Sequence, residues 1–163
     1  MKLRLILGDQ LNLHHPWLEK VNAEVLYVVM EMRQETDYAP HHIQKVVAFF
    51  GAMRSFNKAL NNLGHKTHYL TLDDPQNTQD LTKNLQWLIN EYSIETFEYQ
   101  APDEYRLDQQ LKGFCANLSI ASTMEDTHHF MTTREDLEAF FSGKKQLILE
   151  FFYRNMRKQF NLL

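Results

Sequence analysis

The first ten residues constrain the fold more than any other segment. The run Lys2 to Gly8 (KLRLILG) has the make-up of a buried strand, and it stops at Gly8-Asp9-Gln10. A strand that opens a chain and ends in glycine followed by polar side chains delivers those side chains to the carboxyl edge of an α/β sheet, where such folds bind ligands. A second run of the same kind, Glu24 to Glu31 (EVLYVVME), reads as another strand covered on both faces. Leu11 to Val21 links the two as a short crossover, in which His15-Pro16-Trp17 starts a helical turn with proline near its first position.

The alternation continues. Between Pro40 and Leu63, the residues Ile43, Val46, Val47, Phe50, Met53, Phe56, Leu60 and Leu63 recur at spacings of three and four, which predicts a long amphipathic helix stopped by Gly64-His65. Lys66 to Leu72 reads as a strand and Asp73-Asp74-Pro75-Gln76-Asn77 as a loop. Thr78 is placed to cap a helix running to about Tyr92. Glu95 to Gln100 predicts a fourth strand, Asp103 to Phe114 a helix, and Leu118 to Ser122 a fifth strand. Thr133 caps a further helix over 134–141, closed by Gly143, and Leu147 to Phe160 forms a broad apolar surface beside Lys144, Lys145, Arg154, Arg157 and Lys158.

Strands alternating with helices imply βαβ crossovers. The expected fold is therefore α/β, a Rossmann-like three-layer sandwich with a mainly parallel five-stranded sheet and a C-terminal helical extension. The α/β part is expected over 1–130 and the extension over 131–163. No G-x-G-x-x-G follows the first strand, and no G-x-x-x-x-G-K-[ST] occurs, so a standard dinucleotide or P-loop site has no support.

Composition narrows the function classes. A chain of 163 residues, 44% apolar, builds one substantial core. A net charge of −4 argues against a free-standing nucleic-acid binder, which needs surplus Lys and Arg on one face. The single cysteine, Cys115, excludes an internal disulfide and fits a reducing compartment. No apolar run reaches the roughly 18 residues of a spanning helix, and the N-terminus lacks a signal-peptide profile. The expectation is a cytoplasmic protein with no membrane partner.

Several motifs occur in an order that carries a resemblance. They are Leu5-Ile6-Leu7-Gly8-Asp9-Gln10-Leu11, the segment Glu35-Thr36-Asp37-Tyr38-Ala39-Pro40-His41-His42, Ala52-Met53-Arg54-Ser55-Phe56, the loop Asp73-Asp74-Pro75-Gln76-Asn77, Asp103-Glu104-Tyr105-Arg106, and Glu150-Phe151-Phe152-Tyr153-Arg154-Asn155-Met156-Arg157. Together they resemble the N-terminal region of the bacterial photolyase-related proteins in the cryptochrome/photolyase superfamily, on the iron–sulfur bacterial photolyase branch. The resemblance runs nearly end to end and implies an antenna domain. It also implies that a helical domain, expected to follow, carries FAD, an iron–sulfur cluster and most of the DNA-contacting surface. The chain ends at Phe160-Asn161-Leu162-Leu163 without a polar tail, which predicts a larger protein cut at a domain boundary. On this reading the partner is the helical FAD-binding domain of the same polypeptide, DNA is met only through the full-length protein, and no residue here is catalytic.

The resemblance further implies a 6,7-dimethyl-8-ribityllumazine antenna at the first strand's carboxyl edge. Gly8, Asp9, Gln10 and Leu11 would form one side, with Asp9 and Gln10 pairing the heterocycle. Glu31, Met32, Glu35 and Tyr38, after the second strand, would form the opposite wall, with Tyr38 against the ring. His42 opens the long helix nearby. Arg33-Gln34 and Asp37 depart from the family's pattern, so the position of the site is better specified than the identity of its chromophore. The simpler reading makes Asp9 a turn cap and 31–38 a solvated acidic loop. The pairs His41-His42 and His128-His129 are adjacent and point about 100° apart on a helix, which suits them poorly to chelate a metal. Asp73, Asp74 and Asn77 read as a strand-to-helix turn behind the pocket, and Glu104 with Arg106 as a local ion pair or a contact for the partner domain. Arg154, Arg157 and Lys158 read as the charged flank of an interdomain helix, with nucleic-acid contact the alternative. Two other function classes remain open: a Rossmann-like binding or interaction domain without a chromophore, and a small hydrolase using Asp9 with Asp73 or Asp74, which no nucleophile–base spacing supports.

Overall fold

A computed structural model describes residues 1–37 and 39–162. They form two compact units, Met1–Glu125 and Asp126–Leu163. The first unit is a five-stranded sheet, all of whose pairings are parallel. In chain order its elements are β1 (Lys2–Leu5), β2 (Val25–Met30), α1 (Gln34–Asp37), α2 (Ile43–Asn62), β3 (Lys66–Leu70), α3 (Leu81–Glu91), β4 (Thr96–Gln100), α4 (Tyr105–Ala116) and β5 (Ala121–Glu125). A single 3-10 turn, Pro16–Leu18, crosses between β1 and β2, and His15 caps it by accepting a hydrogen bond from Trp17 N at its Nδ1.

The all-apolar sequence of β2 follows from coverage on both faces. Leu26, Val28 and Met30 enter one core with Leu3, Leu5, Leu85, Leu88 and Leu111, while Val25, Tyr27 and Val29 enter a second core with Phe50, Met53, Phe56 and Leu60. Each fully buried side chain of this size contributes roughly 1.5–3 kcal/mol. Helices α3 and α4 cover the first face and α2 the second, which makes the three-layer, Rossmann-like sandwich.

The strand order β3-β2-β1-β4-β5 places the reversal of chain direction between β1 and β4. The chain runs outward through β2 and β3, then returns to the far side of β1 for β4 and β5. Open α/β sheets have their ligand crevice at this kind of switch point, beyond the carboxyl ends of the two strands.

Several element limits differ from the sequence reading. The fifth strand is Ala121–Glu125 rather than 118–122, because Leu118 and Ile120 pack against the first core as the chain leaves α4. Its own residues lie at the exposed edge of the sheet, so no apolar run marks it. The cap of α3 is Asp80, whose side chain accepts from Lys83 N, whereas Thr78 bonds Asn84. In α2 only Phe50, Met53, Phe56 and Leu60 are buried, while Ile43 and Val47 are exposed. The periodicity reports which face turns inward and not how far the core beneath it extends. Gly64, at φ 89°, stops α2 as its position suggests.

In the second unit, α5 (Arg134–Phe141) begins with a capping box between Thr133 and Asp136. It is followed by α6 (Leu149–Gln159), whose residues Leu149, Phe151 and Tyr153 are exposed. Within this unit Phe140 meets Phe152 edge-on at 5.1 Å, and the Lys144 ammonium sits over the Phe140 ring. Among the described residues, no helix is long and apolar enough to cross a membrane.

Candidate functional site

A cleft of about 360 Å³ opens at the switch point. The turn after β1 contributes Asp9, and α1 contributes Gln34 and Glu35. Phe49 of α2 forms another side, the β4–α4 connection supplies Pro102 and Glu104, and the first turn of α4 supplies Arg106 and Leu107. A small void under the same floor is lined by Leu5, Leu7, Gly8, Met32 and Glu35 among others.

Gly8 allows a close approach. A Cβ built at this position would overlap the Phe49 ring and lie 3.1 Å from Met53 Sδ, so only glycine lets the β1 turn meet α2 this closely. Asp9, next in sequence, is exposed at the cleft.

Three carboxyl groups line the cleft. Burial pushes the Glu35 carboxyl above the ordinary glutamate range, and the negative charges of Asp9 and Glu104 push it further the same way. Glu104 behaves oppositely. Its bond to Arg106 Nε, at 2.6 Å, together with the amides of Leu107 and Arg106, holds it below the ordinary range while it caps α4. A carboxyl that keeps its proton to higher pH can donate a hydrogen bond, and an ionised one accepts. The cleft therefore sets a carboxyl shifted upward beside one shifted downward, with an aromatic ring and apolar Pro102 and Leu107 next to them.

The structure brings together only part of the residue set read from the sequence. Gly8, Asp9 and Glu35 border the cleft or the void beneath it. Gln10 is buried and engaged within the fold: its Oε1 accepts from Leu7 N at 3.1 Å, and its Nε2 donates to Gln100 O at 3.4 Å. Leu11 packs against the second core. Glu31 is fully buried and held by Arg54, Tyr69 and Leu72 N, so its carboxylate is turned to α2 and β3. Met32 belongs to the first core and lines the small void. His42 is the cap of α2, its Nδ1 accepting from Gln44 N. Tyr38 lies outside the described residues. Neither Asp73 nor Asp74 lines the cleft: Asp73 accepts from Thr71 Oγ1, and Asp74 from Gln76 N.

The sequence reading missed Phe49, Pro102 and Leu107 as lining residues; Glu104 and Arg106, read as a local ion pair or a contact for the partner domain, form that ion pair and also line the cleft. The strand order is the reason. With β1 and β2 taken as the flanks, the far wall falls on residues 31–38, whereas β4 on the other side of β1 brings 102–107 to the site. The Glu-aromatic-Arg turn at 104–106, together with a helix start directly after a strand, was the available signal.

Comparison with known proteins agrees with the motif order. Residues 4–163 match the family described as deoxyribodipyrimidine photo-lyase-related protein. Over 163 residues the chain is 29% identical to a (6-4) photolyase of Agrobacterium fabrum (strain C58 / ATCC 33970), covering 99% of this chain and 32% of that protein. The chain thus spans about a third of the length of that relative.

Proposed function

The chain belongs to the deoxyribodipyrimidine photo-lyase-related protein family, and from that premise we propose that it is an antenna domain that binds 6,7-dimethyl-8-ribityllumazine in the switch-point cleft. The observation that carries this reading is the cleft itself. Its volume of about 360 Å³ falls within the roughly 300–1,000 Å³ typical of small-molecule sites. Its chemistry also fits the ligand. The pyrimidinedione N–H and the ribityl hydroxyls are donors suited to the carboxylates of Asp9 and Glu104. Glu35, the third carboxyl group of the cleft, offers its oxygens to the same donors, and the ring plane suits the Phe49 face.

The domain's work on this reading is physical. Side chains fix the ring, exclude water and orient its transition dipole, and the bound lumazine supplies absorption of near-ultraviolet or blue light. Excitation passes to FAD in a helical domain of the same polypeptide, which also holds an iron–sulfur cluster and meets DNA for photorepair or light sensing. The absence of a glycine-rich phosphate fingerprint after β1 argues against flavin dinucleotide binding in this unit.

Absorbance and fluorescence titration with the lumazine tests the proposal, with FAD, FMN and ATP as controls. Saturable lumazine binding that is weakened by Asp9→Ala and by Glu35→Ala is expected. A folded protein that does not bind, or binds equally well in both variants, contradicts it and leaves an interaction domain without a chromophore as the better reading.

A further inference from the structure

Behind the wall that carries Glu35 lies a network of side-chain amides that the binding reading does not use. It begins on α3 with Asn84, which is fully buried; its Nδ2 donates to Asn77 Oδ1 at 2.9 Å, and its Oδ1 accepts from Thr78 N and Oγ1. Asn77 is buried as well, and its Nδ2 donates to two backbone carbonyls, Glu31 O and Thr71 O, both at 2.8 Å. The last member is Gln79. Its Nε2 donates to Leu72 O at 3.3 Å, and its Oε1 accepts from Arg33 N at 2.8 Å.

Gln79 also has an unusual backbone. Its φ of 59° lies in the left-handed region, which strains a residue with a Cβ and persists where surrounding bonds over-determine it. The bond from Gln79 N to Asn77 Oδ1, at 3.1 Å, is one of those that fix it. This conformation points the side chain at the junction between β2 and α1. That junction is short: Arg33 N is held by Gln79, Glu35 N bonds Met32 O, and Glu35 follows at once in the cleft wall.

We propose that Gln79 is a positioning residue for the cleft: its left-handed backbone and side-chain amide together clamp the β2–α1 junction and so set the place of Glu35 relative to Asp9 and Glu104. The inference rests on the cleft being a ligand site and adds a residue that does not line it. It also explains why a non-glycine residue keeps a strained backbone at a loop position where glycine relieves the strain.

Two variants of the full chain separate positioning from stability. Gln79→Gly takes the left-handed conformation freely, and Gln79→Asn tolerates it, but neither reaches Arg33 N. In both, relief of backbone strain offsets the lost bonds, so Tm is expected to stay within a few degrees of wild type. The Arg33 and Glu35 amides are expected to exchange with solvent about tenfold faster, and lumazine affinity to fall about tenfold, the effect of losing roughly one hydrogen bond. Protection of the α3 amides Leu85 and Leu88 is expected to remain unchanged. Unchanged exchange at Arg33, or faster exchange with undiminished affinity, overturns the proposal. If the wild-type chain does not bind lumazine, the antenna reading fails instead, and the exchange of the Glu35 amide alone decides the role of Gln79.

Discussion

The Arg54 guanidinium grips the Glu31 carboxylate in a two-point contact, Nε to Oε1 at 2.5 Å and a terminal nitrogen to Oε2 at 2.9 Å, although Glu31 is fully buried and Arg54 more than half exposed. Burial pushes the Glu31 carboxyl upward, but bonds from Arg54, Tyr69 Oη and Leu72 N outweigh it and hold the group below the ordinary glutamate value of 4.5. The contact ties the end of β2 to α2 and β3 directly beside the cleft wall. Arg54→Ala leaves a buried carboxylate with two neutral donors, and is expected to cost about 2 kcal/mol at neutral pH, below the figure for fully buried pairs because water reaches Arg54. Because Glu31 titrates lower in the folded chain than in the unfolded one, its contribution is complete above about pH 4.5 and is lost as pH falls through the folded value. Denaturant unfolding at several pH values checks this: the gap between wild type and variant is expected to narrow in acid.

Gly8→Ala places a methyl group in the Phe49 ring. The ring is half-buried and is able to swing, so the stability cost is expected at the low end of overpacking, about 1 kcal/mol. Phe49 lines the cleft, so ligand affinity is expected to fall by more than stability does. Thermal unfolding and titration of the same sample read the two effects separately.

Ionisation of Glu35 opposes folding, because burial and two neighbouring carboxylates raise its folded pKa. The stability it lends is fully present below the unfolded value, near 4.5, and is lost as pH rises through the folded value. Glu35→Gln is therefore expected to stabilise the chain by less than about 1 kcal/mol near pH 8, since the site is only half-buried, and to have no effect near pH 4. Tm measured for both proteins across that range checks the sign.

Asn77→Ala removes the donors to Glu31 O and Thr71 O and leaves Asn84 Nδ2 without its oxygen partner. Stranding buried polar groups in this way is expected to cost about 2–3 kcal/mol. The loss is expected to be larger than for Asp73→Ala, whose exposed side chain bonds the Thr71 hydroxyl and its own backbone. Chemical denaturation of the two variants ranks them.

The fold was legible because β2 buries both faces and so appears as a continuous apolar run, because β1 alternates buried Leu3 and Leu5 with half-buried Lys2 and Arg4, and because α2 to α4 carry periodic apolar faces. Edge strand β5 was misplaced for the converse reason: its residues face solvent and leave no such mark. Helix α1, four residues long, is too short to show a period. At the site, the Gly8-Asp9 turn and Glu35 were legible from the place where each strand ends. The roles of Gln10 and Glu31 were not, because a polar residue that satisfies the backbone or an ion pair inside the fold looks the same in sequence as one that faces a ligand. The Glu104 wall depends on strand order, with the Glu-aromatic-Arg turn as its local signal, and the Gln79 clamp depends on backbone conformation, which leaves none.

Whether the switch-point cleft holds the antenna chromophore is decided by a crystal structure of the protein saturated with 6,7-dimethyl-8-ribityllumazine. Density for the ring system is expected between Asp9, Glu35 and Glu104, with its plane against Phe49. Density at any other place, or a cleft left empty under saturating ligand, would contradict that placement.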